Sequence, residues 1–194
     1  MLLHKFKDYE TYKTYQIRGS RRRANRNPAV SVEEIGRIAQ YLEANGLVVR
    51  DAICHGARCG TEVKLISDMF PGARVLGTDL SPRDASVLEW DFNVTKPEWV
   101  GAFDMVYSNS LDHSPAPYQC FKGWLSQLRP NGLLFLLWTY SHNLDHPYLN
   151  GGDCFMASLH EYIAMVRRAG KLHDLLWIER GKNGEVSLVI GRKG

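Results

Sequence analysis

Gly56 and Gly60 bracket a turn over residues 55–60 (HGARCG), and Asp79 follows nineteen positions after Gly60. Glycine lets a backbone turn tightly and lets a ligand approach where a Cβ would intrude. A carboxylate about twenty residues further on is suited to accept hydrogen bonds from both hydroxyls of a ribose. Those residue types at that spacing describe a pocket for an adenosine-containing cofactor. A second set lies downstream. Asp112 and His113 fall in a polar turn (109–117, NSLDHSPAP), where a histidine can serve as a general base at neutral pH or cap and solvate the turn. His142, Asp145, His146 and Asp153 carry metal-capable side chains. Pro147 and the nearby glycines oppose the rigid helix that would aim His142 and His146 at one ion, so no metal is expected and substrate contact or solvation is the better reading.

The elements that must position these groups are legible from periodicity. Residues 47–54 (LVVRDAIC) are mostly apolar and read as a strand. Residues 61–70 (TEVKLISDMF) set Val63, Ile66 and Phe70 on one helical face, and a second strand, 73–78 (ARVLGT), delivers Asp79. Parallel strands joined through a helix cross over right-handed, and ligands bind outside their carboxyl ends, where the glycine turn and Asp79 both fall. Upstream, Ser31 with Glu34 forms a capping-box pattern, Ile35, Ile38, Ala39 and Leu42 follow at helical spacing, and Asn45-Gly46 supplies a stop.

Downstream the alternation continues. Ser81-Pro82 opens a short helix, 86–90 (SVLEW) reads as a third strand ending at Asp91-Phe92, and 103–108 (FDMVYS) is a fourth. Ser114-Pro115 starts a helix over 118–128, since serine caps and proline fits a first turn. Pro130-Asn131-Gly132 then turns into 133–138 (LLFLLW), apolar throughout as suits a strand buried on both faces. A loop over 139–157 is long enough to be functional. A helix over 158–169 follows it, and two strands near 172–178 and 185–190 close the chain, joined by Gly181-Lys182-Asn183-Gly184 in an antiparallel hairpin. The fold class is α/β: one doubly wound, Rossmann-like domain over 31–194, preceded by a basic arm over 1–30.

Composition sets outer bounds. A chain of 194 residues fits one domain, and no run approaches the roughly 18 apolar residues of a membrane helix. The first residues (MLLHKFKDYE) lack the apolar centre of a signal peptide, and cysteines at 54, 59, 120 and 154 form no CxxC pair, which together suggest reduced thiols in a cytoplasmic protein without membrane contact. The formal charge of +3 is local: Arg18, Arg21, Arg22, Arg23 and Arg26 supply five positive charges, and without them it becomes −2. Such a run reads as a solvated, partly mobile segment or as a polyanion grip. The five tryptophans sit mostly on apolar segments and read as core.

Over about 31–194 the sequence resembles class I S-adenosylmethionine-dependent methyltransferases, close to the type 11 subgroup that carries Gly-Ala-Arg-x-Gly-Thr-Glu-Val and, after the fourth strand, Ser-Leu-Asp-His. Residues 56–63 and 110–113 match those two patterns. The resemblance implies a seven-stranded, mostly parallel sheet ending in an antiparallel hairpin. It also implies S-adenosyl-L-methionine as cofactor, met by Gly56, Ala57, Arg58, Gly60, Glu62, Asp79, Leu80, Asp91, Phe92, Asn109 and Ser110. Asp91 resembles the acid that meets the adenine amino group, Phe92 lies against the ring, and Asn109 and Ser110 line the methionine end. Two positions depart from the family: its acid at the end of the first strand is Cys54 here, and its middle glycine is Arg58. Arg58 brings a like charge to a cationic ligand unless Glu62, four positions on, neutralises it; the two could equally be a structural pair.

The function expected is O- or N-methylation of a small or medium-sized acceptor by in-line displacement. Asp112 and His113 are the candidate catalytic residues, and Tyr140 and His142 the substrate contacts. The runners-up are an RNA or DNA methyltransferase that uses the arginine run, and a non-catalytic S-adenosylmethionine-binding protein. Nucleic acid is the less favoured partner, because SNSLDH lacks the Asn/Asp-Pro-Pro-Tyr/Phe pattern of amino-directed nucleic-acid enzymes. Acceptor identity and oligomeric state are not encoded in any pattern.

Overall fold

The computed structural model describes residues 1–22, 30–142, 153–170, 172–180 and 186–194. Arg23, Arg26, Asp145, His146, Pro147 and the turn at 181–184 lie outside them. In chain order the elements are β1 (Leu2–Leu3), α1 (Tyr9–Arg22), α2 (Val32–Ala44), β2 (Asp51–His55), α3 (Thr61–Met69), β3 (Arg74–Asp79) and β4 (Val87–Glu89). They continue with β5 (Phe103–Ser108), α4 (Pro117–Gln127), β6 (Leu128–Thr139), β7 (Phe155–Met156), α5 (Leu159–Ala169), β8 (Leu172–Arg180) and β9 (Val186–Lys193).

Alternation along the central strands builds two layers of core. Ile53, Val106, Leu134 and Leu136 face Phe121, Trp124 and Leu125 of α4 and Ile163 and Val166 of α5. Their neighbours Ala52, Cys54, Met105, Tyr107, Leu133 and Phe135 face Ile35, Ile38 and Leu42 of α2 and Val63 and Ile66 of α3. Successive residues of a strand point to opposite faces, so a sheet buried on both sides must be apolar at every position. The seven-stranded sheet runs β4-β3-β2-β5-β6-β9-β8, parallel from β4 to β6 and antiparallel at β6–β9 and β9–β8. The chain leaves β2 toward β3 on one side and returns to β5 on the other. Between β2 and β5 lies the switch point where such sheets open a crevice.

Local chemistry decides several boundaries. Both halves of the Ser31–Glu34 capping box form at α2. The first core strand begins at Asp51 rather than residue 47 and runs to His55. The short helix expected at Ser81-Pro82 does not form, because Asp79 Oδ1 accepts the Ser81 N–H at 2.8 Å and holds a turn. The third strand is trimmed to three residues. At α4, Ser114 Oγ donates to Asn93 Oδ1 at 2.6 Å and accepts the Ala116 N–H, so Pro117 rather than Pro115 occupies the first turn. The turn expected at Pro130-Asn131-Gly132 is absorbed into β6 as an irregularity: Asn131 adopts φ 63°, and the pairing with β5 shifts register between Phe103 and Met105. Part of the long loop forms β7, which pairs antiparallel with β1.

The largest departure is at the N-terminus. A solvated arm is the expectation, yet 9–22 is helical and buries Tyr12 and Gln16. Only two positions of the helix, four apart, are buried, too weak a stripe to read from periodicity. Arg18, Arg21 and Arg22 remain exposed on this helix. No helix among the described residues is long and apolar enough to cross a membrane. Trp99, Trp124 and Trp138 are buried in the core.

His55 ends β2 and is 1% exposed. Its Nδ1 meets Thr78 Oγ1 at 2.8 Å and its Nε2 meets Gln127 Oε1 at 2.9 Å, with Trp124 stacked on the ring at 4.9 Å. Burial pulls its pKa from 6.5 down to about 4, against the opposing hydrogen bond to Gln127 Oε1. The imidazole is therefore neutral in the folded protein and takes up a proton more readily when unfolded. Its contribution is complete above about pH 6.5 and is lost as pH falls toward about 4, a difference on the order of 3 kcal/mol. Urea unfolding at about pH 7.5 and about pH 4.5 checks this. His55→Asn should show a shallower loss of stability over that interval than the parent protein; equal slopes would remove His55 as the source.

Candidate functional site

The crevice is floored by the carboxyl ends of β2, β3 and β5. Register places His55 beside Thr78 on one side and Ser108 on the other. The backbone N–H groups of Gly56 and Ala57 both donate to the Thr78 carbonyl, at 2.8 and 3.0 Å, folding the chain sharply at the strand end. Gly56 adopts φ 79°, and a Cβ there would overlap the side chain of Ser110, with Phe92 Cε1 at 3.9 Å. Gly60 adopts φ 72° and opens α3, and a Cβ there would sit 2.8 Å from Ser86 Oγ. Gly56 is thus required by backbone conformation and by space, and Gly60 by backbone conformation. Ala57 is buried and Leu80 half-buried behind the turn.

Asp79 ends β3 at the lip of the crevice. Its Oδ2 accepts the Arg58 N–H at 3.2 Å and its Oδ1 the Ser81 N–H at 2.8 Å, which leaves a lone pair on each oxygen for a further donor. Burial raises its pKa, opposed by those two N–H groups and by the charges of Arg58 and His113. Glu62, in the first turn of α3, is 6% exposed, and its Oε1 accepts from Asn109 Nδ2 at 3.0 Å. Burial also raises its pKa, against its own N–H, Asn109 and the Arg58 charge. Asn109 is fixed in turn by Ser110 Oγ, which donates to Asn109 Oδ1 at 2.9 Å.

The structural pair between Arg58 and Glu62 does not close: among the described residues no carboxylate lies within 4 Å of the guanidinium. The Arg58 Nε is buried and without a hydrogen-bond partner. Cys54 is fully buried, and its thiol is held neutral by that burial and by the nearby charge of Glu62.

At the other end of the crevice Asp91 Oδ1 accepts from the Asn93 backbone and side chain, and its Oδ2 accepts from the Tyr9 hydroxyl at 2.9 Å. Tyr12 accepts from Asn93 Nδ2 at 2.8 Å. The N-terminal helix therefore lies across the loop that carries Asp91 and Phe92. Sequence reasoning missed this, although Tyr9 and Tyr12 at i, i+3 were the available signal. Phe92 is buried, edge-on to Trp124, and its carbonyl accepts from Trp124 Nε1 at 2.9 Å.

After β5 a short 3₁₀ turn (Leu111–His113) carries the candidate catalytic pair. Asp112 Oδ2 lies 3.6 Å from His113 Nε2, and Asp153 Oδ1 lies 3.9 Å from His113 Nδ1. The side chain of Asp112 is 6% exposed and that of Asp153 is 1% exposed. The Asp112 carbonyl also accepts the Cys154 N–H at 2.7 Å, tying the two segments together. Asp112, His113 and Asp153 offer donor atoms within 4.8 Å of one another, a juxtaposition across forty residues that no local pattern announces. Tyr140 is exposed in the turn after β6, while the side chain of His142 lies outside the described residues.

No protein-family model matches the sequence, and no curated protein matches it. Solved structures do resemble the fold. The 1,6-didemethyltoxoflavin-N1-methyltransferase of Burkholderia thailandensis, crystallised with 1,6-didemethyltoxoflavin and S-adenosylhomocysteine, gives a TM-score of 0.72 at 18% identity over 99% of this chain and 93% of that one. The cyclase SpnF gives 0.64 at 13% identity over 81% of this chain and 80% of that one. An O-methyltransferase family protein from Burkholderia thailandensis gives 0.62 at 18% identity, covering 95% of this chain and 59% of that one. These likenesses establish a Rossmann-like α/β fold of the methyltransferase kind.

The turn makes a direct stability prediction. Gly56→Ala meets both a left-handed φ and an occupied space, whereas Gly72→Ala meets a φ of 90° with nothing within 4 Å. Gly72→Ala should cost about 1–2 kcal/mol, the ordinary penalty of that backbone region. Gly56→Ala should cost clearly more in chemical denaturation; equal losses would mean that Ser110 gives way freely.

Proposed function

We propose that the chain is a methyltransferase that binds S-adenosylmethionine at the carboxyl ends of β2 and β3 and methylates an oxygen or nitrogen of a small or medium-sized acceptor. The observation that carries the reading is the left-handed turn at Gly56, packed on Ser110 at the carboxyl end of β2, opposite Asp79, a carboxylate with one spare lone pair on each oxygen. The S-adenosylhomocysteine crystallised with the 1,6-didemethyltoxoflavin-N1-methyltransferase points the same way, and the residues at the crevice fit the cofactor. Asp79 is the acceptor for the two ribose hydroxyls, Gly56 and Gly60 give the turn its left-handed backbone and its close packing on Ser110 and Ser86, and Asn109 and Ser110 lie at the methionine end. Phe92 and Asp91 belong to the adenine end, where Tyr9 and Tyr12 bring α1 over the loop.

When bound, S-adenosylmethionine supplies an electrophilic methyl carbon on a sulfonium. The protein's part is then alignment, an effect worth roughly 7–11 kcal/mol at its best. His113 is the group for removing a proton from a hydroxyl acceptor, at the ring nitrogen that the acceptor reaches; Asp112 and Asp153, at 3.6 and 3.9 Å and beyond hydrogen-bond length, stabilise by their charge the imidazolium that forms. Tyr140, exposed in the turn after β6, and His142 are the residues assigned to the acceptor side. The domain division proposed is a methyltransferase domain over 31–194 with α1 as an appended cover.

Isothermal titration with S-adenosylhomocysteine tests the reading. The parent protein should bind it, and Asp79→Ala should weaken binding by on the order of 10- to 100-fold for each charged hydrogen bond lost. Absence of binding to the parent protein would overturn the proposal. Once an acceptor is identified, His113→Ala should lower turnover by roughly 10²–10⁴ with cofactor affinity nearly intact; equal loss of both would make His113 structural.

A further inference from the structure

Cys54 stands where the resembled family keeps an acid, and a buried neutral thiol cannot hold an ammonium group. Glu62 lies close enough to Cys54 to act on its ionisation, is itself buried, and has Oε1 anchored by Asn109 from the end of β5. A carboxylate thus lies near the place of the missing acid, carried by the first turn of α3 instead of by the strand. Burial raises its pKa, and its own N–H at the helix start, Asn109 and the Arg58 charge oppose that rise. Arg58, on the same turn, has its main-chain N–H on Asp79, its Nε buried without a partner, and no carboxylate within ion-pair distance among the described residues. Buried polar atoms are nearly always satisfied, and an orphan at a crevice marks a place for a ligand.

Building on the cofactor reading above, we propose that Glu62 and Arg58 form a clamp for a zwitterionic amino-acid group, Glu62 receiving the ammonium and Arg58 the carboxylate. One ligand end then satisfies both side chains, and Arg58 no longer opposes a cationic ligand. The charges agree. Glu62, Asp79 and Arg58 sum to −1, and S-adenosylmethionine, with sulfonium, ammonium and carboxylate, carries +1. The wider class keeps an acid at the end of the first strand and a glycine in the middle of the turn; here those places hold Cys54 and Arg58, and the clamp is built from Arg58 and Glu62 of the Gly-Ala-Arg-x-Gly-Thr-Glu-Val pattern instead.

Calorimetric titrations separate the clamp from the reading it rests on. The ligands are S-adenosylhomocysteine, its decarboxylated analogue S-adenosyl-3-thiopropylamine, and 5′-methylthioadenosine, which has no amino-acid tail. The parent protein should prefer S-adenosylhomocysteine over the decarboxylated analogue by on the order of 10- to 100-fold, and Arg58→Gln should abolish that preference. Glu62→Gln should bind the amine no better than methylthioadenosine. Thermal unfolding reports whether each variant is folded; if Glu62→Gln is not, the Arg58→Gln titrations decide alone. Equal affinity of the parent protein for all three ligands, or a preference that survives in Arg58→Gln, overturns the clamp and leaves the cofactor reading standing. Binding of none of the three by the parent protein overturns both.

Discussion

The neutral imidazole of His55 is the constraint on which the site depends. It joins the end of β2 to Thr78 on β3 and to Gln127 at the end of α4, while its carbonyl accepts from Ser108 Oγ at the end of β5. Three strand ends and a helix are held by one buried residue. Because the Thr78 carbonyl also takes the N–H groups of Gly56 and Ala57, the turn has little freedom to drift from Asp79. A buried hydrogen-bonded network of this kind is costly to leave half satisfied, which makes it a good device for setting geometry.

Charge is distributed in keeping with this division of labour. At the amino ends of the strands, Asp51 and Asp104 are bound by Arg129 and, for Asp51, by Arg74. Burial raises the pKa of each carboxyl, and the arginine hydrogen bonds outweigh it and hold both below the ordinary value. At the carboxyl ends the balance runs the other way: burial prevails at Glu62 and Asp79, and both are raised. Two carboxyls raised by burial thus share the cleft, the kind of perturbed pair that marks a candidate site. Architecture alone does not choose the reaction, since a cyclase shares this fold.

The N-terminal segment links stability to access. β1 pairs with β7, the terminal amine meets Glu161 of α5, and Tyr9 and Tyr12 hydrogen-bond to the loop after β4. A helix with few buried positions is held by aromatic contacts and by these phenols, among them Phe6 against Tyr12 at 5.5 Å. Asp91 is consequently spent on Asn93 and Tyr9, so its readiness for a further partner depends on where α1 lies.

What the sequence settled by itself is whatever neighbours along the chain decide. The Ser31–Glu34 box, the helical face of Val63 and Ile66, the continuous apolar run of 133–138 and the glycines at 56 and 60 are local statements, and each appears in the structure where the pattern put it. The Ser81 turn and the absorption of Asn131 into β6 depended on hydrogen bonds and pairing partners that a short window does not contain. Tertiary structure alone decided that His55 is a neutral staple, that α1 crosses the Asp91 loop, that Asp153 reaches His113, and that Glu62 turns to Asn109 instead of Arg58. The physical reason is the same in each case: capping and periodicity are set within a few residues, whereas a buried polar group takes whichever partner packing brings to it, and packing unites residues that lie 23 to 82 positions apart in these hydrogen bonds.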